Sequence, residues 1–286
     1  MFTMTRVRKR KIGKKEYYYL EKTKREGNKV IKKEKYLGEK IPADLEKIRE
    51  EFEKEMKNEL YEKLKKIRNN FKAEWKKLPQ TAKEKELREI AIAFTYNTNA
   101  IEGSTITLEE AREIIQDKMA PNKPLRDVKE TEAHSKVFLE MLKKKEKISN
   151  SMLLGWHKDI FGETKRDIAG KYRDYLVRIG NYIAPDWQDV EKLINRLVRY
   201  IKKSKENPVE LAARVHYRFE KIHPFGDGNG RMGRLLMNYI LWHKSYPMLI
   251  IEYKKRKPYY KALTRTEDGF IKYFFRRYLS INKGRL

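Results

Sequence analysis

The longest regular pattern of hydrophobic and polar positions in this chain runs from residue 44 to residue 78. Apolar side chains recur there every three or four residues, which predicts one amphipathic helix, roughly 50 Å long at 1.5 Å per residue. We favour packing of its apolar stripe on the core, with the seam of a homodimer as the alternative. The stripe consists of Leu45, Ile48, Phe52, Met56, Leu60, Leu64, Ile67, Phe71, Trp75 and Leu78.

Nine further helices are predicted by the same periodicity after residue 82. Their positions are residues 83–97, 107–118, 125–144, 149–161, 187–203, 208–222, 230–244, 257–266 and 269–280. The helix over 208–222 should end at His223, because Pro224 disfavours the α conformation in the residue before it. The predicted fold class is therefore all-α.

Two segments show the looser alternation that is typical of strands. Residues 14–38 contain a Tyr17-Tyr18-Tyr19-Leu20 run and the turn-like Glu26-Gly27-Asn28, which predicts a small β-hairpin or three-stranded ribbon. Residues 171–183 alternate around Gly180-Asn181 and predict an extended hairpin. This second hairpin is either a functional element or a surface excursion with an ordinary turn.

These elements divide the chain into three predicted segments. Residues 1–42 form a basic β-ribbon, residues 43–82 a long connecting helix, and residues 83–286 a helical domain. At 286 residues the chain is long enough to bury a substantial core.

Composition limits the chemistry that is available. The chain has no cysteine, which excludes disulfides, thiolate metal sites and cysteine nucleophiles, and suits a reducing compartment. It begins without an apolar signal segment and contains no apolar run of membrane-spanning length, so we expect a cytoplasmic protein with no membrane partner. Four scattered histidines, His134, His157, His216 and His243, are interpreted as structural, and no zinc site is predicted.

The formal net charge of +27 raises the question of a polyanionic partner. Lysines alternate with glutamates along the predicted helices, which favours a solvated, ion-paired surface over nucleic-acid binding. The basic excess is densest in the first forty residues, which hold fifteen Lys and Arg against five Glu. If any part of the chain binds a polyanion, we expect it to be this segment.

The densest cluster of reactive residue types lies in residues 223–234, His-Pro-Phe-Gly-Asp-Gly-Asn-Gly-Arg-Met-Gly-Arg. A histidine, a carboxylate, an amide, four glycines and two arginines precede an apolar helix. A glycine-rich loop that leads into a helix N-terminus attracts anions. Arg231 and Arg234 lie in the first turns, where the helix dipole disfavours a cation unless an anion compensates it. The pattern therefore predicts a site for a phosphate chain.

This run resembles the signature of Fic-domain proteins, His-Pro-Phe-x-(Asp/Glu)-Gly-Asn-Gly-Arg-x-x-Arg, at every specified position. The resemblance extends from about residue 83 to residue 278 and includes Ala169-Gly170-Lys171-Tyr172-Arg173 before a flap-like segment. It implies a Fic-type helical bundle with a β-hairpin flap, and an enzyme of the protein adenylyltransferase type, which moves AMP from ATP to a Tyr, Ser or Thr hydroxyl of a target protein.

The resemblance also assigns roles to single residues. His223 would take the hydroxyl proton as general base, and Asp227 would hold Mg²⁺. Asn229 and the N–H groups of Gly228 and Gly230 would contact the α-phosphate, and Phe225 would anchor the loop in the core. Arg231 and Arg234 would meet the β- and γ-phosphates. The implied nucleotide site comprises Asp227, Gly228, Asn229, Gly230, Arg231, Met232, Gly233, Arg234, Val177, Arg178, Ile179, Gly180, Tyr259 and Tyr260.

Two of these assignments carry alternatives. The flap, residues 174–183, would align the modified segment of a target protein as an added strand, so that main-chain pairing gives little sequence readout. Tyr259 and Tyr260 fall where the family places residues around the adenine, and a core role for one of them is the alternative.

Upstream, Thr98-Asn99-Ala100-Ile101-Glu102-Gly103 resembles the inhibitory motif of many Fic proteins, (Ser/Thr)-x-x-x-Glu-(Gly/Asn). Glu102 would pair with Arg234 and hold ATP in a non-reactive pose. Some family members use the same glutamate to remove AMP again, so deAMPylation is a further possibility. A Doc-like phosphotransferase is a second enzyme class, although Gly230 stands where that branch carries lysine. A nucleic-acid or regulatory binding module at the basic N-terminus is the non-enzymatic alternative.

Overall fold

The computed structural model describes residues 5–26 and 29–286. Gly27 and Asn28, predicted as a turn, lie outside these residues. Within them the chain forms ten α-helices and five short or medium strands, so the all-α prediction with a small N-terminal sheet and a hairpin is confirmed. No helix in this part of the chain has an apolar stretch long enough to cross a bilayer.

The first compact unit comprises the described residues in the ranges 1–67 and 272–286. Its antiparallel sheet has the order β1 (Arg6–Ile12), β2 (Lys15–Glu26), β3 (Lys29–Gly38). The first part of helix α1 (Leu45–Lys77) covers one face, where Leu20 packs with Phe52 and Met56. The predicted long helix is thus observed within one residue at each end, and its apolar stripe is buried from Phe52 to Ile67.

The second compact unit comprises residues 68–271. Its helices are α2 (Gln80–Ile101), α3 (Leu108–Arg112), α4 (Leu125–Lys143), α5 (Asn150–Phe161), α6 (Val190–Lys203), α7 (Pro208–Ile222), α8 (Asn229–His243), α9 (Arg256–Leu263) and the start of α10 (Glu267–Ile281). The boundary between the units falls inside α1. The predicted domain limits at residues 42 and 82 stay a prediction; residue 42 lies between β3 and α1, and residue 82 lies in the first turn of α2.

Two predicted helices are interrupted. The helix over 107–118 ends in a π-helical turn, Glu113–Asp117, which Lys118 terminates with a positive φ of 59°. The helix over 187–203 begins with a 3₁₀ turn, Trp187–Asp189, because the Asp186 side chain accepts the N–H of Gln188 at 3.0 Å. Periodicity alone does not distinguish these tighter or wider turns from α-helix.

The predicted hairpin over residues 171–183 is shorter than expected. Strands β4 (Arg178–Ile179) and β5 (Tyr182–Ile183) hold two residues each, and Gly180 turns between them with φ +57°. One more main-chain hydrogen bond extends the pair, from the Ala184 N–H to the Val177 carbonyl at 3.0 Å. Beyond it, the carbonyl oxygens of Tyr175 and Pro185 accept hydrogen bonds from the Arg173 side chain.

Candidate active site

The signature loop connects α7 to α8. His223 ends α7 in the left-handed conformation (φ 51°, ψ 61°), and its N–H still donates to the Phe219 carbonyl at 2.9 Å. Pro224 prevents a further helical turn. The predicted end of α7 is therefore observed at the predicted residue, and the imidazole is presented from a loop.

Asn229 closes the loop. Its Oδ1 accepts the Phe225 N–H and its Nδ2 donates to the Phe225 carbonyl, both at 2.8 Å. The Gly228 N–H donates to Asp227 Oδ1 at 2.5 Å. Two groups expected on the α-phosphate are thus engaged inside the loop in this structure. Phe225 is fully buried, in agreement with its predicted anchoring role.

His157 of α5 packs against the signature loop. The sequence predicts only a structural role for this histidine, and its contacts show that it holds the loop backbone. Its Nε2 donates to the Asp227 carbonyl at 3.0 Å, and its Nδ1 accepts the Gly170 N–H at 2.9 Å. The ring stacks on Phe225 at 3.9 Å between centroids. Burial lowers the pKa of His157 to about 4, so it is neutral at pH 7, with the proton on Nε2.

Arg173 joins the signature loop to both sides of the hairpin stem. Its side chain donates to the carbonyl oxygens of His223 at 2.8 Å, Tyr175 at 2.7 Å and Pro185 at 2.6 Å. Its own N–H donates to the Pro224 carbonyl at 2.9 Å. The residue is 96% buried, and this burial lowers the pKa of Arg173. The position of His223 is therefore tied to the position of the flap.

Asp227 and Arg231 of the loop form an ion-pair network with residues outside the signature. Lys165 Nζ lies 2.7 Å from Asp227 Oδ2 and 2.9 Å from Glu130 Oε1. The second oxygen of Glu130 pairs with Arg231, whose guanidinium carbon lies 4.3 Å from the ring centroid of Phe161. Burial would raise the pKa of Glu130 and Asp227, but these cations hold both pKa values below the usual range. Both carboxyl groups are thus ionised at neutral pH.

Arg234 is 99% buried at the start of α8 and pairs with the end of α2. Its Nη2 lies 2.6 Å from Glu102 Oε1, and its Nε donates to Thr98 Oγ1 at 2.7 Å. Gly103, with φ +91°, ends α2 and so fixes the position of Glu102. A Cβ at Gly230 would collide with the Glu102 carboxylate, so only glycine permits this approach. All three residues of the predicted inhibitory motif therefore contribute to the pair.

The remaining predicted site residues divide into buried and exposed groups. Met232 and Gly233 face the interior of the unit, and a Cβ at Gly233 would lie 2.7 Å from Glu220 Oε1. Tyr259 is 99% buried and its OH lies 2.8 Å from His216 Nε2, a core position of the kind given above as the alternative. Tyr260 is 43% exposed and donates to the Ile101 carbonyl at 2.9 Å. In the flap, Arg178 and Ile179 are exposed.

A polar cavity of about 120 Å³ lies beside this network. Its walls carry four carboxylates and three cations, and the side chains of Asn99 and Ser104 complete them. The charged residues are Glu102, Asp127, Glu130, Asp227, Arg126, Lys165 and Arg231. Such a cavity suits a small, multiply charged group and not an apolar ligand.

Comparison with known proteins shows similarity in both sequence and fold. Residues 147–241 match the Fic/DOC family. A Nematostella vectensis protein named protein adenylyltransferase Fic is 35% identical over 201 residues, which are 68% of this chain and 47% of that protein. The chain thus spans about half the length of the curated relatives it matches.

Two solved structures extend the comparison to the fold. Fic-1 from C. elegans aligns with a TM-score of 0.71 and 25% identity, over 84% of this chain and 75% of that one. A Fic family protein from Desulfovibrio desulfuricans G20 aligns with a TM-score of 0.67 and 26% identity, over 79% and 72% of the two chains.

Proposed function

Because this chain carries a domain of the Fic/DOC family, we propose that it is a protein adenylyltransferase that transfers AMP from ATP to a hydroxyl side chain of a target protein. The observation that carries the proposal is the start of α8, where a buried arginine of the signature is held by a carboxylate that a phosphate can replace. The named activity of the relatives supports the same reaction class.

His223 is the general base in this proposal. The oxygen of the target hydroxyl forms a bond to the α-phosphorus of ATP as the bond to the bridging oxygen of the β-phosphate breaks. The hydroxyl proton passes to the imidazole, and pyrophosphate leaves. Burial lowers the pKa of His223, which keeps the ring neutral and able to accept a proton at pH 7.

Asp227 fits a magnesium site. Mg²⁺ in nucleotide enzymes uses one or two protein carboxylates and completes its shell with phosphate oxygens and water. Asp227 is ionised, and its side chain is 51% exposed towards solvent. Bound there, Mg²⁺ would neutralise charge on the phosphates. Lys165 would then give up its contact with Asp227 Oδ2.

Arg231 and Arg234 would bind the phosphates only after exchanging partners. Each now holds a carboxylate, Glu130 for Arg231 and Glu102 for Arg234. Both guanidinium groups are buried, so each needs an anion at all times. A phosphate is an equally suitable partner, because a guanidinium fork matches its oxygens in pairs.

We further propose that Glu102 inhibits the transfer. Glu102 competes with the γ-phosphate for Arg234, and its side chain is still 32% exposed, so it can leave. The same carboxylate would activate water for the reverse reaction, deAMPylation. The flap, residues 174–183, would present the target segment to His223. Arg173 holds the flap in place relative to His223, because its side chain donates to carbonyl oxygens on both.

The test uses the Glu102→Gly variant with ATP and Mg²⁺. We expect an AMP-sized mass increment on the protein itself, larger than in the unmodified chain, and none in Glu102→Gly with His223→Ala. ATP labelled at the α-phosphate should label the protein, and ATP labelled at the γ-phosphate should not. Label from the γ-phosphate would establish the Doc-like phosphotransferase instead, and the absence of any label would refute both.

Loss of the inhibitory glutamate should also change nucleotide binding. In Glu102→Gly the buried Arg234 lacks its paired carboxylate, so the γ-phosphate of ATP no longer has to displace it. We expect ATP to raise the Tm of this variant by several degrees more than it raises the Tm of the unmodified chain. AMP, which has no γ-phosphate, is the control and should give equal shifts in both proteins.

A further inference from the structure

The N-terminal sheet has two chemically different faces. One face packs on α1 through Leu20, Val7 and Leu37. The side chains on the other face contact one another and are largely arginine and tyrosine; we call it the Tyr–Arg face. Its members are Arg6, Arg8 and Arg10 of β1, Tyr17, Tyr19 and Glu21 of β2, and Lys32, Glu34 and Tyr36 of β3.

Glu21 orders the cations at one end of this face. It is 99% buried, and its carboxylate accepts from Arg6 Nη2 at 2.9 Å, Arg8 Nη1 at 3.2 Å and Lys32 Nζ at 2.8 Å. The hydrogen bond from Lys32, followed by those from the arginines, lowers the pKa of Glu21 to about 2. Glu21 therefore stays ionised and holds the cations in fixed positions.

The two arginines remain available to a ligand. Their side chains are 64% and 50% exposed, and each contacts Glu21 through a single nitrogen. A guanidinium has five N–H donors, so most of the donors on each fork are left for another anion. Because Glu21 already restrains the side chains, less rotamer entropy is lost when that anion binds.

Aromatic rings lie next to these cations. Tyr36 is 55% exposed, and its ring centroid lies 5.3 Å from that of Tyr19 and 6.2 Å from that of Tyr17. The guanidinium carbon of Arg10 lies 4.6 Å from the centroid of Tyr19. An exposed tyrosine that two other tyrosines support on a sheet face is a surface on which a planar ring can stack.

We propose that the Tyr–Arg face binds a single-stranded nucleic acid. The ordered arginines match backbone phosphates, and Tyr36 offers a stacking platform for a base. The fifteen Lys and Arg against five Glu in the first forty residues supply the long-range attraction. An acidic peptide would satisfy the arginines but leave Tyr36 without a partner, and a duplex hides the faces of its bases. This site is independent of the proposed transfer reaction.

The experiment measures fluorescence anisotropy of labelled twelve-nucleotide oligo(dT) and oligo(U) with the full chain over a range of salt concentrations. We expect both to bind, and Tyr36→Leu to weaken binding about tenfold, whereas Tyr36→Phe should not. Arg6→Gln with Arg8→Gln should weaken binding and reduce the slope of log affinity against log salt by about 1.4, since two phosphate contacts are lost.

Matched controls separate this site from general surface charge. Lys202→Gln with Lys203→Gln removes the same charge from exposed positions of α6 and should leave the affinity within twofold. Three results would overturn the proposal: equal loss in this control, equal affinity for Tyr36→Leu and the unmodified chain, or tighter binding to a duplex or a poly-glutamate peptide of the same length. Thermal unfolding of each variant checks that its sheet is intact.

Discussion

Burial sets the state of the histidine that the proposed reaction depends on. His223 sits at the end of α7 with its carbonyl held by Arg173, and desolvation of the ring is the largest influence on its pKa. The positive charge of Arg173 acts in the same direction. The imidazole therefore resists protonation more than a histidine in water does.

This shift predicts the pH dependence of AMP transfer. A lowered pKa means that the neutral, basic form of His223 persists below pH 6.5. We expect the acid limb of the kcat profile of Glu102→Gly to have its midpoint below that pH. The buried carboxyl of Glu220, whose pKa is raised to about 7, is a second titrating group nearby. Glu220→Gln is the control, and a limb that vanishes in it would assign the dependence to Glu220 instead.

At the scale of elements, Arg173 makes the flap and the end of α7 into one structural unit. Its buried guanidinium contacts both stems of the hairpin, and its own N–H donates to the Pro224 carbonyl. A lysine at this position has one point of attachment and cannot span these carbonyl oxygens.

Arg173→Lys should therefore separate positioning from nucleotide binding. In the Glu102→Gly background we expect kcat to fall about ten- to a hundredfold, because a displacement of about 1 Å at the reacting groups has an effect of that size. The Kd for ATP should be unchanged, as measured by calorimetry. Arg196→Lys, at an exposed position of α6, should affect neither. A parallel loss of ATP affinity would mean that Arg173 acts on the whole fold.

Two helix glycines allow a test of packing between elements. A Cβ at Gly233 of α8 would lie 2.7 Å from Glu220 Oε1 and 3.0 Å from His216 Nδ1, whereas a Cβ at Gly155 of α5 would meet open space. Gly233→Ala should lower the free energy of unfolding by about 1–3 kcal/mol through overpacking. Gly155→Ala should raise it by about 0.5–1 kcal/mol through helix propensity. Denaturant titration of both variants measures these changes. Equal changes in the free energy of unfolding would contradict the close approach of α8 to Glu220 and His216.

For the whole molecule, three buried histidines determine the response to acid. His134, His157 and His216 have no exposed surface, and desolvation lowers their pKa values to about 3, 4 and 3. Below pH 6.5 the unfolded chain binds protons at these side chains and the folded chain does not. The folded state is therefore progressively disfavoured as the pH falls towards 4.

We expect the free energy of unfolding to fall by about 3 kcal/mol per pH unit between about pH 5.5 and about pH 4.5. Each proton that the three rings withhold contributes about 1.4 kcal/mol per pH unit, and the proton that the Glu220 carboxyl holds in the folded chain offsets about 1 kcal/mol per pH unit. Urea titrations at several pH values measure this slope. His157→Gln should reduce the slope by about 1.4 kcal/mol per pH unit. A stability that is flat over this range would show that the three rings are protonated in the folded state.

The local sequence pattern predicts most of the helices and strands, and it identifies the signature loop of the candidate site. Helix α7 is predicted to the residue because Pro208 and Pro224 mark its ends, and the pairing of Glu102 with Arg234 follows from two short motifs. The residues that pattern does not identify, Lys165, Glu130 and Arg173, act across distant parts of the chain. No local spacing indicates which buried carboxylate will face which arginine, because that depends on how the helices pack.

The Asn229 amide and Tyr259 show a second limit. A motif states which residue types are present. An asparagine or a tyrosine at a motif position can hydrogen-bond within the loop, pack in the core or contact a ligand. Only the contacts themselves, to Phe225 for Asn229 and to His216 for Tyr259, distinguish these uses.

Every contact that the structure describes for the Arg173 side chain goes to a main-chain carbonyl oxygen. Such contacts depend on the path of the backbone and not on which side chains it carries. The exposed tip of the hairpin is thus free to diverge in sequence while the stem keeps its geometry. Evolution, or an engineer grafting new tips, can alter what the hairpin presents without rebuilding the loop that holds His223.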